Sequence, residues 1–354
     1  MIKNIIFNFL NTASKIKERE VKAVVFSFIF VVVLMSAYYI LRPVRDAMAS
    51  DWTDAEVSWL WTLNFFISTG IVALYGIMVS KFRFRLLVPV MYGIFAGSFI
   101  IFYVLGSIYA DQILIDKAFY VWVSVFSLFH ISVFWSFMSE LFSKEQSSRL
   151  FGIIAVGASV GGLIGPSITA FFSVSLGTDK LMLIASIMLL IPIPIIFYLQ
   201  SLKTKELDNE VLSTPISNQS IGGNPLAGFK MFFSNPYLLS IGLFIFLYTG
   251  ISSFVYFELK NLLSDFTRPE RSVIWAQMDL AVNILAISTG LFATGRIVTK
   301  FGMPATIAMV PIMICIGLLV LAISPLLGVV MILQIVRRAG NYAVTRPARE
   351  MLFT

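Results

Sequence analysis

Charge is what this chain has least of. Only 13% of its 354 residues are Asp, Glu, Lys or Arg, while 58% are hydrophobic; an ordinary soluble domain carries about a quarter of its residues as charges. A soluble globular protein is therefore excluded. There is one cysteine, Cys315, and one histidine, His130, which leaves no disulfide framework and no clustered metal site to expect. No Gly-x4-Gly-Lys-Ser/Thr loop occurs, so ATP hydrolysis does not drive this protein. No Ser/His/Asp set is recognisable either, and neither an enzyme nor a cofactor is expected. Period-2 alternation is missing, which argues against a membrane barrel. The net charge of +7 comes with no basic block interleaved with aromatics, so nucleic acid is not a partner. No small-residue cleavage pattern follows the first apolar run, so the N-terminus does not read as a removed signal.

What the chain has in abundance is apolar runs of about 20 residues, the length of a bilayer-crossing helix. Ten are counted, over 22–41, 57–79, 86–110, 118–142, 150–174, 180–199, 237–258, 273–298, 304–324 and 326–345. An all-α, multi-pass membrane protein with lipid as its main partner follows. With the N-terminus placed in the cytoplasm, 17 of the 26 Lys and Arg fall on that side and seven on the other. That is the positive-inside bias. Ahead of the first run, Ile5, Ile6, Phe9 and Leu10 suit either a helix lying on the membrane surface or a solvated tail.

The segment Gly76-Ile-Met-Val-Ser-Lys-Phe82 returns as Gly295-Arg-Ile-Val-Thr-Lys-Phe301, each copy expected in a short basic turn between two runs. Because the pattern of runs repeats with it, the chain reads as two related halves in parallel orientation. Residues 1–200 form a first six-helix bundle, 201–236 a polar cytoplasmic linker and 237–354 the first four helices of a second bundle. Six runs before the linker and four after it are expected to be the front part of a twelve-helix protein; a genuine ten-helix chain is the alternative.

This organisation resembles the major facilitator superfamily. The repeated segments resemble that superfamily's Gly-rich basic loop, without its usual acidic residue. Gly152, Gly161 and Gly165-Pro166 in the fifth run resemble its antiporter motif, with Thr169-Ala170 in place of the final glycine pair. Three further segments are similar to bacterial carriers grouped with the nucleotide (ATP/ADP) translocase family: Tyr38 to Asp46, Val133 to Met138, and Arg337 to Thr354. The resemblance implies two bundles rocking about a central site in a bacterial cytoplasmic membrane, exchanging solutes. None of that family's binding residues is carried over onto this chain.

Independent of resemblance, Gly157, Gly161 and Gly165 recur every fourth residue, a face on which a neighbouring backbone can approach closely. Arg-Pro-x-Arg-acid occurs twice, at Arg42–Asp46 and Arg346–Glu350. A residue before proline is pushed out of helical geometry, so each copy is expected at a helix end or kink. Arg42, Arg45 and Asp46 are candidates for a gate on the outer side, and Arg346, Arg349 and Glu350 on the cytoplasmic side. Interfacial anchoring of snorkelling arginines is the alternative.

In the tenth run, Gln334, Arg338, Asn341, Thr345 and Arg349 share a helical face, with Arg337 pointing about 100° away. A charge near the bilayer centre costs on the order of 3 kcal/mol, so Arg338 should meet a wet cavity or an acid. Asp279 in the eighth run is that acid, with Asn283 one turn along. A purely structural pair is the alternative. His130 suits a packed core position better than a proton relay. Tyr248, Ser252 and Tyr256 make a polar stripe, and Trp59 and Trp61 read as an interfacial belt. Arginine outnumbers acid among the candidates, which points to an anionic substrate. The expected function is secondary transport of a small anion, with nucleotide exchange as its sharpest form. Proton-coupled transport of another solute, or a sensor on a carrier fold, are the alternatives.

Overall fold

The computed structural model describes residues 16–81, 84–109, 112–205, 207 and 232–350. The leader carrying Ile5 to Leu10 and most of the linker lie outside the described residues, as does Phe82. Among the described residues there is no strand. The helices are α1 (Val21–Met48), α2 (Asp54–Lys81), α3 (Phe84–Ile108), α4 (Ile113–Leu141), α5 (Lys144–Leu176), α6 (Thr178–Leu190) and α7 (Pro192–Lys205), followed by α8 (Pro236–Leu262), α9 (Arg268–Phe292), α10 (Thr294–Ile323), α11 (Leu327–Gly340) and α12 (Arg346–Glu350).

Nine stretches among the described residues are long and apolar enough to span a membrane. α6 and α7 count as one, broken at Ile191 where Pro192 removes a backbone donor. The tenth run is helical but not as one α-helix. A π-helical turn over Asn341–Thr345 separates α11 from α12, a feature common at functional positions in other proteins.

Local signals explain several boundaries. At the start of α5, Ser143 accepts from the Gln146 backbone N–H while the Gln146 side chain accepts from the Ser143 N–H, a reciprocal cap. Asn235 caps α8 ahead of Pro236. The repeated basic segments differ from expectation. Gly76 to Lys81 is the end of α2, and Thr294 to Phe301 is helical too. The reversal comes at Gly302, with φ +76°, a conformation that a residue with a Cβ adopts at a cost. In a bilayer the backbone stays helical for as long as no other partner is offered.

Packing divides the chain into two compact units, Met1–Ser213 with Phe266–Asn283, and Thr214–Asp265 with Ile284–Thr354. In the first, α1 lies against α5. A Cβ added at Gly161 would stand 2.5 Å from the Val32 carbonyl oxygen, and one at Gly165 2.5 Å from that of Ser36. Gly157 would meet Val31 at 2.6 Å, so the every-fourth glycines allow backbone-level contact. Gly152 faces open space. An aromatic core of Phe30, Tyr92, Phe95, Phe99, Phe126 and Phe134 fills the space among α1, α3 and α4. In the second unit, Gly317 and Gly340 let α10 and α11 close on Leu333 and Val310. Large apolar side chains such as Phe171 and Phe246 face outward, as a lipid-facing surface requires.

Candidate functional site

The first unit holds a chain of buried charge on α1 and α9. Arg45 donates to Asp46 through Nε at 2.9 Å and Nη2 at 2.6 Å. Arg42 stands 3.7 Å from Asp46, one turn back on α1, and 3.6 Å from Asp279 on α9. Asp279 is 1% exposed and Asp46 2%. Asn283 extends this line. Its Nδ2 donates to the Gly162 carbonyl at 2.8 Å, and its Oδ1 accepts from the Tyr39 hydroxyl at 3.4 Å. The Asn283 amide fits because Gly162 has no side chain to displace it.

One expectation changes here. Pro43 lies inside α1, which continues to Met48, so the first Arg-Pro-x-Arg-acid motif does not end its helix. With no water to take freed backbone groups, helical geometry outweighs the pre-proline preference. Asp46 is held by arginines of its own helix, and Arg42 makes the contact with α9. Arg45 ties α1 to α4, donating to Ser124 at 3.3 Å and standing over the Tyr120 ring at 5.4 Å.

At the helix ends of the same unit lies a cluster that sequence reading passed over. Arg268 donates to Asp51 at 2.5 Å and forms an ion pair with Asp116 at 2.7 Å, and Arg271 donates to Asp51 at 2.5 Å. These four charges alternate and join the region after α1, the start of α4 and the start of α9. The available signal was opposite charge at ends expected on the same, outer side. Nearby, Lys117 pairs with Glu56 at 2.8 Å. At the other end of α1, Glu20 accepts from Arg149 of α5 at 2.9 and 3.2 Å.

The second unit contributes a separate polar cluster. Gln334 accepts from Arg337 Nε at 3.1 Å and Nη2 at 2.7 Å. Arg337 also donates to Ser252 and stands over the Tyr248 ring at 5.8 Å. The Tyr248 hydroxyl donates to the Arg337 carbonyl at 3.1 Å. The expected face grouped Gln334 with Arg338; the structure gives Gln334 to Arg337, three residues along. The π turn then shifts the register, so Asn341 and Thr345 do not continue an ideal α face. Arg338 is buried, Arg346 is exposed, and the side chains of Arg349 and Glu350 lie outside the described residues.

His130 is a packed residue, 4.3 Å from Tyr38 in a stacked pair, with Nδ1 3.2 Å from the Phe126 carbonyl. Trp59 is 69% exposed, but Trp61 turns inward and donates to the Tyr120 hydroxyl at 2.7 Å.

A multi-pass helical chain with charge networks inside its spans matches the sequence model of the Major Facilitator Superfamily over residues 26–345. The chain belongs to this superfamily. It is a multi-pass integral membrane protein. A bacterial homolog of the human lysosomal transporter Spinster, solved inward-facing and unoccupied, is similar in fold, with a TM-score of 0.53. The match covers 93% of this chain and 75% of that one, at 15% identity. The agnestins efflux protein AgnL12 of Paecilomyces divaricatus is 29% identical over 122 residues. That alignment takes in 34% of this chain and only 27% of the relative's length.

Proposed function

We propose that this superfamily member moves a small organic or phosphorylated anion by alternating access, with ATP/ADP-type nucleotide exchange as the sharpest version. The supporting observation is the Arg45–Asp46–Arg42–Asp279 chain. Charge inside apolar spans is expensive to bury, and in membrane proteins it concentrates along substrate and ion pathways. Arg42, Arg45, Arg337, Arg338, Arg346 and Arg349 outnumber Asp46, Asp279 and Glu350, and guanidinium forks suit carboxylate and phosphate. In this reading Gln334, Arg337, Arg338, Asn341, Thr345, Asp279 and Asn283 serve the substrate pathway. Arg42, Arg45 and Asp46 gate the outer side, and Arg346, Arg349 and Glu350 the cytoplasmic side. The protein resides in a bacterial inner membrane with its N-terminus in the cytoplasm.

Uptake of labelled ATP into proteoliposomes tests the reading. Uptake that depends on ADP loaded inside supports exchange. Transport restricted to neutral solutes overturns the anionic substrate, and binding without movement overturns the carrier. Proton-coupled transport is the second reading, favoured by the nearly complete burial of Asp279. Uptake driven by an imposed pH gradient without a counter-substrate distinguishes it.

A further inference from the structure

Among the described residues, the positive charge at Arg337 is answered only by neutral groups. Its side chain is 8% exposed. Its partners are the Gln334 amide oxygen, the Ser252 hydroxyl and the Tyr248 ring, and no carboxylate among the described residues stands within ion-pair distance. A buried guanidinium in this setting retains its full charge. Neutral dipoles lower the cost of burial without cancelling the field.

The donor count sharpens the point. Guanidinium has five N–H donors in a fixed plane. Gln334 takes one on Nε and one on Nη2, and Ser252 takes one on Nη1. One donor is left on each terminal nitrogen. The guanidinium itself is held in place: Gln334 grips it from its own helix, α11, and α8 holds it through Ser252 and Tyr248, whose hydroxyl also pins the Arg337 backbone carbonyl. The π turn over Asn341–Thr345 begins four residues on. Preorganisation of this kind is what a binding group needs and a solvent-screened anchor does not.

We infer that Arg337, positioned by Gln334, Ser252 and Tyr248, is the residue that binds the carboxylate or phosphate group of the transported solute. The two remaining N–H groups donate to a pair of anionic oxygens, and the bound anion supplies the missing countercharge. This rests on the anion-carrier reading above and assigns its binding group. An anionic lipid headgroup presents the same oxygens; the assignment here is to a soluble ligand.

The test uses the full chain in nanodiscs of neutral lipid, with thermal shifts titrated by inorganic phosphate, succinate and AMP. At least one of these is expected to stabilise the wild type. Gln334→Glu places a carboxylate where the neutral oxygen now bonds Arg337. It is expected to raise the melting temperature without ligand and to weaken anion binding about tenfold or more, as loss of a charge-assisted interaction does. Arg337→Gln is expected to weaken binding at least as much. A purely structural Arg337 predicts that Gln334→Glu raises stability and leaves anion affinity unchanged, and that result overturns the inference. So does a wild type that responds to anionic lipid only, or to none of the three anions. Parallel uptake assays separate this from the carrier reading. Wild-type transport with unchanged Gln334→Glu binding sinks the Arg337 assignment alone, whereas lost binding in a protein that moves nothing supports the assignment and sinks the carrier.

Discussion

Arg42 on α1 lies 3.6 Å from Asp279 on α9, joining residues 237 positions apart in the chain. Arg42 also faces Asp46, which Arg45 holds as well. Arg42→Gln removes a guanidinium that stands against both acids. Breaking a buried pair from one side costs about 3–5 kcal/mol. The single substitution should lower the melting temperature markedly, and Asp279→Asn added to it should recover most of the loss. Thermal unfolding of the two singles and the double checks this; a double mutant as unstable as the summed singles removes the coupling.

The glycine face of α5 makes a sharp internal comparison. Gly161→Ala drives a Cβ to within 2.5 Å of the Val32 carbonyl oxygen and 2.7 Å of Met35 Cβ, so α1 and α5 must separate. A loss of about 1–3 kcal/mol is expected for such overpacking. Gly152→Ala meets nothing within 4 Å and should be neutral or slightly stabilising, since alanine favours helix by about 1 kcal/mol over glycine. Equal melting temperatures for the two variants would contradict this packing.

Asp51 receives both Arg268 and Arg271. Asp51→Asn should therefore loosen the start of α9 from the region after α1. Spin labels at Thr53 and Thr267 should show a longer, broader distance distribution in the variant. Because Asp51 and Arg268 are partly exposed, raised salt should move the wild type the same way. An unchanged distribution would mean that the cluster is a surface feature without hold on α9.

Orientation has a direct readout. In a Cys315→Ser background, a cysteine at Asp179 should react with a membrane-impermeant maleimide on intact cells, and one at Glu145 should not. The reverse pattern would invert the topology inferred from the distribution of Lys and Arg.

Much of the architecture was legible because a bilayer enforces local rules. Apolar runs of spanning length must be helices, since no water is there to satisfy an unwound backbone. The glycine face of α5 was equally legible, because four-residue spacing puts Gly157, Gly161 and Gly165 on one side whatever lies opposite. The charged partners were not. Arg42 stands 3.6 Å from Asp279, a contact that no spacing in the chain encodes, because it depends on the depth and rotation at which α9 meets α1. Gln334 was grouped with Arg338 on ideal geometry, but three-residue spacing on α11 and the π turn beyond it gave the contact to Arg337. Asp51, Asp116, Arg268 and Arg271 each look like ordinary helix-end charges in one dimension. The sequence by itself determined which segments cross the membrane and which faces are small or polar. Only the tertiary structure decided which charge meets which, because in a low-dielectric interior an ångström of approach changes the energy of a pair far more than residue type does.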